Sequence, residues 1–265
     1  MKQNRLIRYT IWGILILCPW ILTSCDMFHE DLPECRLFVK FKYDYNMLFT
    51  DAFHTQVDKV ELYVFDKDGK FLFSQVEEGE ALATGNYQME VKLPIGEYQF
   101  LAWAGARDSY DIYTPRGENT ITDMRLRLKR EESLIISKEL EPLWYGYISD
   151  VDFTGTSHQT ETIDLIKDTN KIRFVFQGYS DSYIRATSGD NWNVNMNDYE
   201  YEIIESNGHL AYDNSLLEDD VLSFRPYYME QNKGAFIMYF APISLATKYN
   251  YLDDKFQAAY KWLAE

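Results

Sequence analysis

The chain has 265 residues, and its 42 acidic and 26 basic side chains give a formal charge of −16 at pH 7. Aromatic residues make up 16% of the chain, with only 13 Gly and 7 Pro, which excludes disordered and collagen-like proteins. The acidic balance argues against a nucleic-acid binder or a basic peripheral membrane protein, because phosphate groups would repel it. Three cysteines are too few for a disulfide scaffold.

The N-terminal 24 residues are predicted to be a signal peptide. Residues 11–22 are almost wholly apolar, and they follow a basic start that contains Lys2, Arg5 and Arg8. This apolar stretch is shorter than the roughly 20 residues that a helix needs to cross a bilayer. A basic start before a short apolar core is typical of secretory signals, so this segment is excluded from the fold prediction.

Residues 22–25 form a lipobox, in which an aliphatic residue and two small residues precede a cysteine: Leu22, Thr23, Ser24 and Cys25. Cleavage is expected between Ser24 and Cys25, whose sulfur then carries the lipid. Each buried methylene contributes about 0.8 kcal/mol, so two or more palmitate-like chains hold a protein firmly on a bilayer. We therefore predict attachment to outer-membrane lipid through acyl groups on Cys25. The alternative is an ordinary secretory signal that is cleaved elsewhere.

Residues 25–36 are predicted to be a lipidated tether. They are acidic and loop-like, with Asp26, Glu30 and Asp31 following the lipidated cysteine. Acidic residues at this place resemble the surface-export signal of Bacteroides-type lipoproteins, which implies a cell-surface location; a plain solvated linker is the alternative. Cys35 is predicted to be a small buried apolar residue at the start of a strand.

Residues 37–149 are predicted to form a first β-sandwich domain, because apolar residues recur there with period two. Within the first strand, Val39, Phe41 and Tyr43 alternate with polar side chains. About seven or eight strands with a turn every ten residues or so are typical of a β-sandwich. The predicted strands are residues 37–44, 60–65, 71–74, 87–93, 97–104, 124–129, 134–136 and 143–148.

A domain boundary is predicted around residues 149–161, where Asp, Thr, Gly and Ser side chains are typical of a linker. A second β-sandwich domain is predicted over residues 160–265, shortened at its C-terminal end. Its best strand candidates are residues 162–165, 172–176, 199–204, 222–225 and 235–240. Residues 180–197 are polar and predict a long loop, whereas residues 256–263 have the spacing of a helix.

The sequence lacks the common catalytic and nucleotide-binding motifs, including GxSxG, GxGxxG, the P-loop, HExxH and CxxC. Its scattered histidines are interpreted as surface residues: His29, His54, His158 and His209. Asp66, Asp68 and Gly69 match part of a calcium loop, but the flanking positions do not, and the turn of a β-hairpin fits better. We therefore predict no catalytic residue, no cofactor and no metal site.

Several segments together resemble a known family. They are residues 35–46, with Phe41, Tyr43, Asp44, Tyr45 and Asn46; residues 51–69, with Asp51, Ala52, Phe53, Val57, Val60, Tyr63, Phe65 and Gly69; residues 93–105, with Leu93, Pro94, Gly96, Tyr98 and Trp103; Leu143, Tyr145 and Gly146; and Asn170, Lys171 and Ile172. This pattern resembles the fimbrial anchor lipoproteins of Bacteroides-type bacteria, the FimB-like family of minor-fimbrium anchoring subunits.

The resemblance implies an all-β fold, with two tandem transthyretin-like β-sandwich domains after a lipoprotein signal peptide. It also implies a non-catalytic subunit that anchors a fimbrium and helps its assembly, with fimbrial structural and accessory subunits as partners. In such fibres a strand from one subunit completes the sandwich of the next. After Thr247 the closing strands of the family have no match in this sequence.

A second function stays open, namely a surface glycan-binding lipoprotein of a polysaccharide uptake system. The abundant Tyr and Trp residues would then line a sugar-binding face instead of filling the core and covering the sheets. Coplanar exposed aromatic side chains would favour this function, whereas an open sheet edge with apolar residues would favour the anchor. An enzyme would require a deep pocket with two facing carboxylates or a His–carboxylate pair.

Overall fold

The alternating segments of the sequence form strands, as seen in a computed structural model that describes residues 35–177, 199–232 and 235–243. In chain order the elements are β1 (Leu37–Lys42), the helix α1 (Phe53–Gln56), β2 (Lys59–Asp66), β3 (Phe71–Glu78), a 3-10 turn (Leu82–Thr84), β4 (Met89–Val91), β5 (Gly96–Ala104), β6 (Tyr110–Tyr113), a 3-10 turn (Ile121–Asp123), β7 (Arg125–Leu128), β8 (Ile135–Ile136), β9 (Trp144–Phe153), β10 (Gln159–Asp164), β11 (Ile166–Lys167), β12 (Ile172–Gln177), β13 (Ile203–Glu205), β14 (His209–Ala211), β15 (Leu222–Phe224), β16 (Tyr228–Asn232) and β17 (Ala235–Phe240).

The largest sheet has five strands in the order β11-β9-β5-β2-β3, and every neighbouring pair is antiparallel. Its inner strand β5 is buried on both faces. Successive side chains of a strand point to opposite faces, so Phe100 and Ala102 join one hydrophobic cluster whereas Leu101 and Trp103 join another. This explains the continuous apolar run at residues 100–104 of β5.

The first cluster lies between the five-stranded sheet and a three-stranded sheet of order β10-β1-β4. Leu37, Val39 and Phe41 of β1 are all buried, and Ile163 of β10 joins them. In this sheet β1 is the central strand, parallel to β10 on one side and antiparallel to β4 on the other. The alternation predicted for residues 37–44 therefore has one face in the core.

The second cluster covers the other face of the five-stranded sheet. It includes buried residues from two further three-stranded sheets, of order β14-β7-β6 and β13-β15-β8. The main contributors from these sheets are Tyr110, Leu126, Leu128, Ile136, Leu210, Leu222 and Phe224. Sheet packing on both sides thus makes the five-stranded sheet the centre of the fold.

The segment predicted as a linker is largely strand, which corrects the reading of residues 149–161. β9 continues to Phe153, and β10 begins at Gln159. Val151 and Phe153 are buried while Asp150 and Asp152 are exposed, so the acidic residues are the solvent-facing half of an alternating strand. Acidic side chains at every second position misled the sequence prediction.

Strands on the two sides of that predicted boundary pair with each other. β10 pairs with β1, β14 pairs with β7, and β15 runs parallel to β8. The described residues from Arg36 onward belong to one compact unit. The all-β fold is confirmed, whereas the division into two transthyretin-like domains, residues 37–149 and 160–265, stays a prediction.

A buried ion pair also connects early and late parts of the chain. Both nitrogens of the Arg130 fork contact Asp219, at 2.7 Å for Nη1–Oδ1 and 2.9 Å for Nη2–Oδ2. The two side chains are almost fully buried. Arg130 follows β7 and Asp219 precedes β15, so the pair joins two sheets that cover the second cluster. Loss of either partner would leave a buried charge, which typically costs about 3–5 kcal/mol.

Most predicted strands are confirmed, and so is the hairpin that joins β2 to β3. At its turn, Asp66 Oδ1 accepts hydrogen bonds from the backbone N–H groups of Asp68 and Lys70, and Gly69 adopts φ +79°. The short strands β6, β11, β14 and β16 were not predicted from the sequence. The predicted loop at residues 180–197 and the predicted helix at residues 256–263 lie outside the described residues.

Candidate functional site

The predicted lipidation and cleavage residues, Ser24 and Cys25, lie outside the described residues, so lipidation stays a prediction. The prediction that Cys35 is buried was wrong, because its side chain is exposed two residues before β1 begins. The buried alternation starts at Leu37 instead. Within residues 35–177, 199–232 and 235–243, no helix is long and apolar enough to cross a membrane.

The buried phenols of the core are neutral packing groups. Burial raises the pKa of Tyr63, Tyr110 and Tyr145 well above the ordinary value for tyrosine. Burial also lowers the pKa of Lys167, whose Nζ lies 5.1 Å from the centre of the Trp144 ring. The three tyrosines are members of the second hydrophobic cluster, and Lys167 lies against Trp144 of the first. We find in them no arrangement of a nucleophile with a base.

Both tryptophans within the described residues, Trp103 and Trp144, are buried in the core. Tyr63 packs edge-on against Trp103 with 6.0 Å between the ring centres, and Tyr43 packs edge-on against Trp144 with 5.9 Å between the ring centres. Edge-to-face pairs at these distances stabilise a core beyond the area that they bury. In this part of the chain, tryptophan therefore fills the interior and does not form an exposed sugar-stacking platform.

The outer strand of the five-stranded sheet, β3, has a mixed edge. Leu72 and Val76 are exposed, but the strand ends in the acidic residues Glu77 and Glu78. The opposite partner of Glu78 is Lys59 at the start of β2. Charged residues on an edge strand discourage pairing with another chain. β3 is consequently a poor acceptor for an additional strand.

The sheet of order β12-β17-β16 has a more apolar edge, and the one charged residue of β12, Arg173, lies over the Tyr239 ring. Three consecutive residues of its outer strand β12 are exposed by 40–45%: Phe174, Val175 and Phe176. Since neighbouring side chains point to opposite faces, β12 presents apolar surface on both of its faces. An edge strand of this kind is a template for pairing with another polypeptide.

The inner strand of the same sheet, β17, packs the sheet against a small hydrophobic core. Phe236, Met238 and Phe240 of β17 are buried in a third hydrophobic cluster. Phe174 packs edge-on against Phe240 at 5.5 Å, so this face of β12 has partial cover. Val175 lies on the other face and is 42% exposed. The backbone edge of β12 and the side chain of Val175 together form the candidate docking edge.

A sequence profile described as "Fimbrillin-A associated anchor proteins Mfa1 and Mfa2" matches residues 32–250. The chain belongs to this family of fimbrial anchor proteins. The family predicted from the sequence resemblance is therefore confirmed. The matched residues include the five-stranded sheet and the docking edge of β12.

Two known proteins are similar to this chain in sequence or structure. The minor fimbrium anchoring subunit Mfa2 of Porphyromonas gingivalis is 23% identical over 203 residues, which cover 75% of this chain and 60% of that protein. The chain thus spans about 60% of the length of this curated relative. A solved structure from Bacteroides thetaiotaomicron, provisionally named a polysaccharide binding protein, is 63% identical with a TM-score of 0.73, over 82% of this chain and 74% of that one.

A provisionally named adhesin from Bacteroides ovatus shares the fold of this fimbrial anchor family member. It is 27% identical with a TM-score of 0.71, over 86% of this chain and 73% of that one.

The docking edge could not be predicted from the sequence, since the apolar residues of 172–176 predicted a strand but not its position in a sheet. The pairing order of the described strands shows that β12 is the outer strand among them.

Proposed function

We propose that this chain is a non-catalytic anchoring and assembly subunit of a fimbrium. The observation that carries the proposal is the match of residues 32–250 to a family of fimbrial anchor proteins. The proposed partners are fimbrial structural and accessory subunits, and the proposed location is the outer membrane at the cell surface. The chain is held there by acyl groups on Cys25.

Among the described residues no strand pairs with β12 on the side away from β17, and this edge supports strand addition as the mode of attachment. A fimbrial subunit supplies an extended segment that continues the sheet β12-β17-β16 beyond β12, with main-chain hydrogen bonds along the new ladder. The exposed apolar side chains of β12 then pack against alternate side chains of the incoming strand. Affinity comes from the backbone, and selectivity comes from positions such as Val175.

The docking edge is tested with a matched pair of valines on two outer strands. Val175 on β12 and Val76 on β3 are exposed by 42% and 49%. A lysine on an edge strand opposes pairing with a further strand. We expect Val175→Lys to raise the Kd for purified fimbriae at least tenfold, whereas Val76→Lys leaves it within about twofold of the parent. Equal effects of both variants would contradict docking at β12.

The membrane tether is tested with a matched pair of cysteines. Cells grown with labelled palmitate should label the parent protein and the Cys35→Ala variant, but not the Cys25→Ala variant. We also expect Cys25→Ala to release the protein from the outer-membrane fraction, because the acyl chains supply its attachment. A Cys25→Ala protein that keeps the label and stays membrane-bound would contradict lipidation at this residue.

A surface glycan-binding function is the second candidate, favoured by the provisional name of the 63% identical protein from Bacteroides thetaiotaomicron. Binding of purified surface polysaccharides with micromolar affinity, together with no binding of fimbriae, would promote it over the anchor. The burial of Trp103 and Trp144 counts against a tryptophan platform in the described part of the chain.

A further inference from the structure

The connection between β1 and α1 displays a cluster of apolar side chains in solvent. Met47 and Phe49 are exposed by 89% and 91%, and Tyr45 and Leu48 lie beside them with most of their surface exposed. We call residues 45–49 the apolar loop. Scattered exposed apolar residues are ordinary in proteins, but four of them in five consecutive positions are a local concentration of the kind that marks an interaction site.

Side-chain hydrogen bonds hold the base of the apolar loop in one conformation. Asp51 Oδ1 accepts hydrogen bonds from the backbone N–H groups of Tyr43 and Phe53, each at 3.0 Å. Asn46 Nδ2 donates to the carbonyl oxygens of Tyr43 and Thr50 at 2.7 and 2.8 Å. A surface that is ordered before binding loses less conformational entropy when a partner docks.

The backbone at Phe49 supports the same conclusion. This residue has φ +55°, in the left-handed region that side chains other than glycine seldom occupy. The strain is not offset by burial of the phenyl ring, which is almost fully exposed. A strained backbone that presents an aromatic side chain to solvent points to a function for that side chain.

The charges around the apolar loop favour a protein partner over a bilayer. The loop follows the C-terminal end of β1, while the segment that leads to Cys25 joins the other end, about 20 Å away at 3.3 Å per residue. Asp44, Asp51 and Asp164 all act electrostatically on Lys42 at the end of β1, so this group of four charged residues at the rim of the loop has a net negative charge. Such a rim would oppose an anionic membrane surface and would complement a basic one.

We propose that the apolar loop is a second docking site, separate from the edge of β12. Met47 and Phe49 of the loop insert into an apolar cleft with a basic rim on a fimbrial subunit. This inference rests on the proposed anchoring function. The β12 sheet packs on the third hydrophobic cluster, whereas the loop is joined to β1 and α1, which pack on the first. Two sites would fix the orientation of the bound subunit as well as its affinity.

The inference is tested by binding of the full chain, purified in detergent, to purified fimbriae. We expect the double variant Met47→Ser/Phe49→Ser to raise Kd at least tenfold, because apolar anchors of this size dominate interface energies. The control is Ile95→Ser, which removes a 68% exposed apolar residue from the turn before β5 and should leave Kd within about twofold. The double variant should keep the thermal midpoint of the parent, because both residues are exposed.

The outcomes separate this inference from the proposed function. A parent chain that binds no fimbriae would overturn both. A parent that binds, with a double variant that binds equally well, would overturn the apolar loop alone. Benzoylphenylalanine placed at position 49 on living cells should crosslink to a fimbrial subunit after irradiation. Adducts only with membrane lipid, or only with a second copy of this chain, would overturn the stated partner.

Discussion

The five-stranded sheet and the β12-β17-β16 sheet use similar strands for opposite purposes. In the first, β2 and β5 are covered on both faces, and the outer strand β3 ends in acidic residues. In the second, the outer strand β12 keeps three consecutive apolar residues half exposed. An apolar strand can thus be fully buried in a core or partly exposed at a sheet edge. Its position in the pairing order decides which of the two results.

This difference assigns stability and association to separate parts of the molecule. The two large clusters on the five-stranded sheet contain most of the buried side chains, whereas the β17 cluster has only three fully buried members within the described residues. We therefore expect substitutions in the first sheet to change the free energy of unfolding. Substitutions on β12 should change binding instead.

The strongest way to break this contrast is Trp103→Ala on β5. The indole is buried within the second cluster, on one face of the five-stranded sheet, so its removal leaves a cavity. We expect the free energy of unfolding to fall by about 3–5 kcal/mol, measured by urea denaturation. The control is Tyr113→Ala, which truncates an exposed aromatic residue and should cost about 0.5 kcal/mol or less.

Alkaline pH tests the same sheet through Tyr63 of β2. Burial raises the pKa of this phenol in the folded state, while in the unfolded chain it ionises near pH 10. The unfolded state therefore loses a proton that the folded state retains, and stability falls as pH rises above about 10. Tyr63→Phe should reduce that slope by about 1.4 kcal/mol per pH unit; identical slopes would contradict the burial of Tyr63.

The smallest expected effect on folding sharpens the comparison most. Val175→Lys replaces a side chain on the exposed face of β12, so the free energy of unfolding should change by about 0.5 kcal/mol or less. The same variant should lose at least tenfold in affinity for fimbriae. A variant that unfolds several degrees earlier than the parent would show that β12 stabilises the fold and would weaken its role as a docking edge.

Period-two alternation predicted most of the long strands, because strands with one or both faces in the core select apolar residues directly. It did not predict β6 or β14, which have only four and three residues and too little pattern. The end of β9 was mistaken for a linker because Asp150 and Asp152 occupy its solvent face. Local composition cannot distinguish a solvated strand face from a loop when polar and apolar residues alternate.

The candidate sites were harder to predict than the fold. Phe174, Val175 and Phe176 predicted a strand but not its place in a sheet, since hydropathy carries no information about which strand lies at the margin. The apolar loop was also difficult to predict as a surface site, because Met47 and Phe49 are residue types that are usually found in the core. The hydrogen bonds of Asn46 and Asp51 show that this segment is a turn, and the exposure of Met47 and Phe49 shows that its side chains face solvent.

The placement of β1 between β10 and β4 has a mechanical consequence. If a fimbrium pulls on a chain that is fastened at Cys25, the tension enters at the N-terminal end of β1. The parallel ladder from Leu37↔Gln159 to Lys42↔Asp164, with the β4 ladder on the other side, is then loaded lengthwise. In shear, all hydrogen bonds of the ladder bear the force together, whereas peeling would break them one at a time. An interior strand such as β1 is therefore a suitable attachment point for a load-bearing fimbrium.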